Sequence, residues 1–555
     1  MIPEFTADEQ RALAPFFTNL DRSVFGLKLP QEVAGALFSR YSRSTKSLRR
    51  TFFDEFLGDP ELGLKDLLGA QTSASDDSAA LKKARAFYER VLVGYGDDSV
   101  AQLGGAHIAC ENISNVAAKV LEDARIGVAP LEKSTRYVRF DQKDAGGNYL
   151  FYREPKIMAS RHRDNYLTTM NLLFETYSKQ MEPMLEHVAK SLPIEQLEVR
   201  DPVSGKGLSY GEAARDERLK RWAETAYRAT VRAQACDILR SYLPAATLTN
   251  VGMFSVGQAF EYLISKFYSH ELSEAKELGS AMHAELNQLI PSFVKRARLN
   301  EYLVGTTTAA RALAAKTVNV SPLDAKEPVT LIDYDAQAEE KIIGSILFSH
   351  ARHPLMQLRE IAAKMSVEER AKILQEYFGK RRHRRDKLSR AFENVYYTFD
   401  ILGNLGLYRD LHRHRILTQE RQEFTTVHGY DTPPEIEEAG FKAEFANCMD
   451  RAAELHERIY RDLSCEAQYV VPFAFKIRWY MKMNLREALH LCELRTTPQG
   501  HPDYRFIAQE MWRKIQSVHP TLAESGKFVD WQKYRLGRLQ SEMRTEFKKS
   551  AWEQE

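Results

Sequence analysis

Arg413-His414-Arg415-Ile416 and Asn484-Leu485-Arg486-Glu487-Ala488-Leu489-His490-Leu491-Cys492-Glu493-Leu494-Arg495 are the two stretches on which the reading of this chain turns. The first is a dense cluster of cationic donors that follows a mixed apolar run over 396–411. The second has the period of a helix. At about 100° per residue, Leu485, Ala488, Leu489 and Cys492 share one apolar stripe. Asn484 and Arg495 border that stripe on one margin, and Arg486 and His490 on the other. Polar groups on both edges of a buried stripe can reach a ligand lying against the helix.

Around these stretches the chain has an ordinary soluble composition. Its 555 residues exceed what one core accommodates, so two domains are expected. Charged residues make up 28% and apolar ones 44%. A formal charge of +2 gives no global basic field, so no dedicated nucleic-acid binder is expected. Cys110, Cys236, Cys448, Cys465 and Cys492 are scattered without a Cys-x-x-Cys. That spacing argues against a zinc ribbon or a disulfide framework and for a reducing compartment, and no metal site is expected. The first ten residues carry acids and lack the apolar stretch of a secretory signal. No apolar run reaches the roughly eighteen residues of a membrane span. A cytoplasmic protein is the expectation.

Helical patterns are expected over 31–41, 79–92, 106–125, 224–243, 256–268 and 272–289. A Ser/Asp-rich loop over 71–78 and a glycine-punctuated turn over 94–99 flank the second of them. The residues after Phe140 read as a polar insertion, with a loop excursion over 195–211. Residues 303–327 have linker composition, and 329–332 are β-prone. Further helices are expected over 337–348, 367–377 and 531–549. The basic run 381–385 reads as a solvated face or oligomer contact. The predicted fold is α+β and helix-rich with few strands, split into domains over 1–315 and 325–555.

The halves look like distant copies. Ile238-Leu239-Arg240-Ser241-Tyr242-Leu243-Pro244 parallels Glu466-Ala467-Gln468-Tyr469-Val470-Val471-Pro472, and an apolar helix follows each. Earlier, Ala124-Arg125-Ile126 parallels His414-Arg415-Ile416. Both halves also carry motifs that resemble the flavin-dependent thymidylate synthases, the ThyX family. That family has an Arg-His-Arg-Ile motif and a helix of the form Asn-x-Arg-x(8)-Arg. Glu132-Lys133-Ser134-Thr135-Arg136-Tyr137 is similar to its Glu-x-Ser-x-Arg-Tyr, and Arg240 to the Arg of its Ala-Arg-x-x-Leu-Pro. Singly these motifs are weak: Arg-His-Arg is usually solvated surface, Glu-x-Ser-x-Arg-Tyr a turn or helix start, and Arg240 a surface ion pair. Their common order gives the resemblance its weight.

The resemblance implies two tandem ThyX-like domains and assigns roles. Glu132, Ser134, Arg136, Arg240, Glu420 and Arg495 would bind a dUMP-like nucleotide, with Ser134, Arg136 and Arg495 at the reacting centre. Arg413, His414, Arg415, Ile416, Asn484 and Arg486 would hold FAD, with His490 where the family has a flavin-contacting Asn. Each half departs from the pattern. The first has Asp123-Ala124-Arg125 for Arg-His-Arg, Asp97 and Gln102 for a His and a Glu, and Gly257 and Ala259 for the helix Asn and Arg. The second loses Ser-x-Arg-Tyr, with Glu393 and Asp386 near the places of the other two family residues. Complementary losses imply one composite site, one flavin per chain and a homodimer as pseudo-tetramer. The implied reaction is reductive methylation of dUMP to dTMP with methylenetetrahydrofolate and NADPH, which needs no cysteine nucleophile. Asp97 in place of the His bears on folate use. Another pyrimidine or one-carbon donor, or a non-catalytic nucleotide-binding homologue, are the alternatives.

Overall fold

The alternation of buried and exposed residues along 476–484 builds the central strand of the larger sheet. The computed structural model describes residues 5–29, 31–57, 102–318 and 327–552. The elements expected over 71–78, 79–92 and 94–99, and Asp97 with them, lie outside the described residues. The chain is helix-rich with mixed α and β structure, as its sequence implies. It forms two compact units. One comprises Met1–Glu111, Val120–Glu132 and Asn250–Ser321, the other Asn112–Lys119, Lys133–Thr249 and Pro322–Glu555.

The first unit carries strand β1 (Gly105–Ser114) as far as Glu111, β2 (Val128–Glu132), and β5 (Leu248–Val256) from Asn250 on, in a sheet of order β1-β5-β2. Strand β2 runs antiparallel to β5, from Val128 opposite Ser255 to Glu132 opposite Val251. Gly127 starts this strand at φ +77°, and a side chain there would meet Ala259. Phe16, Phe17 and Phe52 form a separate aromatic core, with ring centroids 5.1 and 5.4 Å from Phe52.

The second unit holds a small hairpin, β3 (Glu198–Arg200) with β4 (Gly207–Ser209), and a four-stranded sheet. That sheet comprises β6 (Val329–Tyr334), β7 (Tyr396–Asn404), β8 (Thr418–Arg421) and β9 (Lys476–Asn484), in the order β6-β7-β9-β8. Every second residue of the central pair is buried, Tyr397, Phe399 and Ile401 on β7 and Ile477, Trp479, Met481 and Met483 on β9. Helices Arg163–Ser191, Glu217–Leu239, Lys442–Asp462, Leu485–Arg495 and Pro502–Val518 belong to this unit.

One element order occurs twice. Strand β1 leads into helix Asn115–Glu122 as β7 leads into helix Leu405–Leu411. Ser114 Oγ accepts from Ala117 N at 2.9 Å, and Asn404 Oδ1 from Leu407 N at 2.9 Å, the same cap in both copies. A long helix, a short 3-10 turn and a Pro then precede β5 and β9. Within the second unit the two Pro turns bridge, Pro244 opposite Pro472, with Ala245 N donating to Val471 O at 2.8 Å and Phe473 N to Leu243 O at 2.9 Å.

Several sequence expectations need correction. Residues 106–125 are a strand and then a helix, because pairing with β5 satisfies the backbone over Gly105–Ser114. The polar insertion contains the Arg163–Ser191 helix, whose Tyr166, Met170, Leu173, Phe174, Tyr177, Met181, Met184 and Val188 form a buried face at helical spacing. Linker composition over 303–327 gives way to a helix, Glu301–Val318, with no buried residue; its alanines favour the helix without packing. The terminal helix is Leu539–Trp552. Nor is Arg381 part of a solvated face. It is buried, with Nη1 and Nη2 on Glu493 Oε1 and Oε2 at 2.9 and 2.6 Å. Glu493 is equally buried, so Arg381→Ala strands a carboxylate in the core. Chemical denaturation should show a loss of about 3 kcal/mol for Arg381→Ala.

Candidate functional site

Six segments of the second unit bring charged side chains together. Arg136 lies in the turn that follows β2, Asp237 on the Glu217–Leu239 helix, and Arg240 on the 3-10 turn after it. Asp410 is on helix Leu405–Leu411, Arg495 ends helix Leu485–Arg495, and Arg538 precedes the last helix. Arg240 and Arg495 sit at helix C-termini, where a cation is favoured.

Arg136 is fully engaged. Its Nε and Nη2 grip Asp237 Oδ1 and Oδ2 at 2.9 and 3.1 Å, and Nη1 donates to Tyr504 Oη at 2.9 Å. Arg538 Nη2 donates to the same Asp237 carboxylate. Burial alone would raise Asp237, but Arg136 and Arg538 outweigh it and hold it at about 2. Beside this pair, Arg240 Nη1 reaches Asp410 Oδ2 at 3.4 Å. Burial would raise Asp410 too; the charges of Arg240, Arg136, Arg413 and Arg495 hold it far below the carboxylate range. Arg409 adds another buried guanidinium, its Nη1 donating to Thr135 Oγ1 at 2.9 Å.

Cations outnumber anions here. Arg136, Arg240, Arg409 and Arg538 are buried with Asp237 and Asp410, and Arg495 is half-buried. Arg240 Nη2 is buried without a partner, although the residue is only 4% exposed. It borders a cavity of about 180 Å³ whose lining also includes the carboxylates of Asp237, Asp431, Glu435 and Asp503, with Asn404 and His501. Buried excess positive charge with an unmet donor is an environment that an anion satisfies.

His414 connects this cluster to the Leu485–Arg495 helix. Arg495 Nε lies 3.0 Å from His414 Nε2, and His414 Nδ1 lies 2.9 Å from Glu487 Oε1. A guanidinium Nε–H can only donate, so Nε2 accepts and the proton sits on Nδ1. Burial and the neighbouring Arg495 charge keep this imidazole neutral, well below its usual range. Arg495 stacks 5.7 Å from the Tyr504 ring centroid, and its Nη1 and Nη2 have no hydrogen-bond partner among the described residues.

The remaining sequence-predicted residues fall into four places. Ser134 is half-buried in the same turn as Arg136 and accepts from Arg136 N at 3.2 Å. Arg413, Arg415, Ile416, Glu420 and His490 are exposed, and the His490 ring lies 5.8 Å from His414. Asn484 Oδ1 caps its own helix by accepting from Glu487 N at 2.9 Å, while Arg486 holds Glu393 Oε1 at 2.9 Å and Leu388 O at 2.8 Å. Glu132 belongs to the first unit, buried at the end of β2 opposite Val251. Sequence reasoning missed Asp237, Asp410, Tyr504 and Arg538 as site residues. Asp410 and Asp237 each stand three residues from an arginine singled out for the site, which is the signal that could have found them.

The first copy lacks counterparts of Arg486 and Arg495, and its register is one residue earlier than the motif spacing implies. Val256 and Asn484 both end a strand and precede a helix, so Gln258 answers to Arg486 and Phe267 to Arg495. Phe267 is fully buried, with Gly279 packed on it so closely that a Cβ would come within 2.6 Å.

The sequence profile of the thymidylate synthase complementing protein family matches residues 65–292 and 330–521, more than half of the chain in two tandem regions. The chain belongs to this family. A UPF0159 protein of Chlamydia pneumoniae is 40% identical over 552 residues, covering 98% of each chain. One from Thermoplasma acidophilum is 36% identical over 524 residues, covering 93% of this chain and 98% of its own. A flavin-dependent thymidylate synthase of Geobacter sulfurreducens is 28% identical over 142 residues, 24% of this chain and 61% of its own. Among solved structures, a UMP/dUMP methylase PolB from Streptomyces cacaoi bound with 5-Br dUMP covers 36% of this chain and 93% of its own, at 18% identity and a TM-score of 0.28. Family membership supports a nucleotide methyltransferase of the thymidylate synthase type. No helix among the described residues is long and apolar enough to cross a membrane.

Glu487 offers a measurable pH dependence. Burial pushes its carboxyl up to about 7, against the charges of His490, Lys387, Arg486 and Arg495. A raised carboxyl contributes stability that is complete below the unfolded value and is lost as pH rises through 7. Glu487→Gln removes that loss. Thermal melts from pH 5.5 to 8.5 should show the variant gaining on the parent as pH rises, by about 1–3 kcal/mol at the top of the range.

Proposed function

We propose that this protein is an FAD-dependent thymidylate synthase that methylates C5 of dUMP, using methylenetetrahydrofolate as carbon donor and NADPH as reductant. Its site is composite. Nucleotide contacts come from Ser134 and Arg240 of the first copy, in turns that Arg136 braces, and flavin contacts from Arg413, Arg415 and Arg486 Nη2 of the second, braced by His414 and Asn484. The observation that carries this reading is the buried excess of guanidinium groups around Asp410, drawn from both copies, with Arg240 Nη2 unmet.

The donor set suits both ligands. A nucleotide phosphate would satisfy Arg240 Nη2 and the paired Nη1 and Nη2 of Arg495, the two-pronged geometry that Arg offers to oxygens. Exposed Arg413 and Arg415 flank buried His414 and supply the cations a pyrophosphate needs. Bound FAD would supply the hydride that completes the methyl group. With its fork on the phosphate, Arg495 fixes where the nucleotide sits; Asp237 and Tyr504 keep Arg136 from swinging into solvent. The copies are read as domains over 1–315 and 325–555, and the protein as a cytoplasmic homodimer standing in for a tetramer, with no nucleic-acid or membrane partner.

Two measurements test this. Purified protein should release one FAD per chain, and release of two would overturn the composite site. In calorimetry with dUMP, Arg240→Ala and Arg495→Ala should each weaken binding by about 10–100-fold, the worth of a charge-assisted fork. If dUMP binds but does not trigger oxidation of the reduced flavin, another pyrimidine or carbon donor becomes the better reading. A colourless protein that takes up no FAD and binds dUMP would be a non-catalytic nucleotide-binding homologue.

A further inference from the structure

The geometry assigns Glu487 as a positioning residue for Arg495, acting through the His414 imidazole. The inference rests on the reading above, in which Arg495 faces the nucleotide. Three observations meet on it. Both ring nitrogens of His414 are bonded, to Glu487 Oε1 at 2.9 Å and to Arg495 Nε at 3.0 Å, so the ring has no rotational freedom without breaking one of them. His414 is buried, and the Glu487 side chain is 12% exposed, so water competes poorly for either bond. Arg495 makes no other hydrogen bond among the described residues, so the His414 contact, with the Tyr504 ring beside it, orients its guanidinium plane.

The chemistry is that of a tautomer lock. Arg495 Nε–H requires an acceptor, so Nε2 must be unprotonated. A neutral imidazole then carries its proton on Nδ1, and that proton needs a buried acceptor, which Glu487 provides. Without one, the proton would sit as readily on Nε2. Nε2–H would oppose Arg495 Nε–H, donor against donor, and the guanidinium would turn away. Glu487 reaches no ligand in this scheme. It keeps Nε2 an acceptor, and with that the Arg495 fork stays aimed at its anion. Glu487 also lies on the helix whose end carries Arg495, so the helix sets both ends of the chain of bonds.

The test uses the full chain, dUMP calorimetry and ¹⁵N spectra of labelled histidine, with His414 assigned by its loss in His414→Gln. Glu487→Ala should weaken dUMP binding about 10-fold, while Glu487→Gln, whose carbonyl still accepts from Nδ1–H, should stay within about twofold of the parent. In the parent, Nε2 should resonate as an unprotonated nitrogen and Nδ1 as a protonated one. In Glu487→Ala the two should move toward each other as the tautomers mix. Parental tautomer and parental binding in Glu487→Ala would overturn the assignment. Equal losses in Ala and Gln variants would overturn it as well, since charge and not hydrogen bonding would then be the cause. Should Glu487→Ala fail to fold, Glu487→Gln must keep both the tautomer and the affinity for the assignment to stand. If the parent binds no dUMP, the nucleotide reading fails, and the tautomer shift still decides whether Glu487 locks His414.

Discussion

Two buried carboxylates, Asp237 and Asp410, make the rest of the second unit possible. Each is surrounded by guanidinium groups that could not be buried without it, and each is held ionised by them against the pull of burial. Asp237 ties Arg136 to Arg538, residues far apart in sequence, and Tyr504 completes the grip. Asp410 has no such tight partner among the described residues; it meets Arg240 Nη1 at 3.4 Å. The difference matters. Asp237 forms a closed structural knot, whereas the charge around Asp410 is incompletely met and leaves donors for a ligand.

Tandem copies of one fold explain how such a site could divide its labour. The repeated caps at Ser114 and Asn404, and the bridge between Pro244 and Pro472, show that the backbone plan is retained in both copies. What differs is the side chains laid on it. In the second copy Arg486 and Arg495 stand where the first has Gln258 and Phe267, and Phe267 has become core. A buried aromatic at that position restores packing energy but removes the charge that an anion requires. The first copy contributes instead the turn holding Ser134 and Arg136, and the Arg240 turn.

The same economy governs the Leu485–Arg495 helix. Its apolar stripe of Leu485, Ala488, Leu489 and Cys492 is buried, which fixes the helix in place. Its polar residues are then free to be specific. Asn484 caps the helix, Arg486 braces Glu393, and Arg495 meets His414. Asn484 and Arg486 therefore already have protein partners, and among the described residues Arg495 leaves both terminal nitrogens open where Arg486 leaves one.

The sequence by itself determined the helix-rich mixed class, the family and the tandem plan. Those properties live in short-range patterns: the helical stripe of 485–492, the Pro turns at 244 and 472, and motifs whose spacing survives without knowledge of the fold. It also showed which arginines to watch. Only the tertiary structure decided what each arginine meets, because ion pairs such as Arg136 with Asp237 and Arg381 with Glu493 join residues distant along the chain. Strand β1 was illegible for the same reason, since a strand's backbone is satisfied by a partner elsewhere in the chain and a helix's by its own next turn.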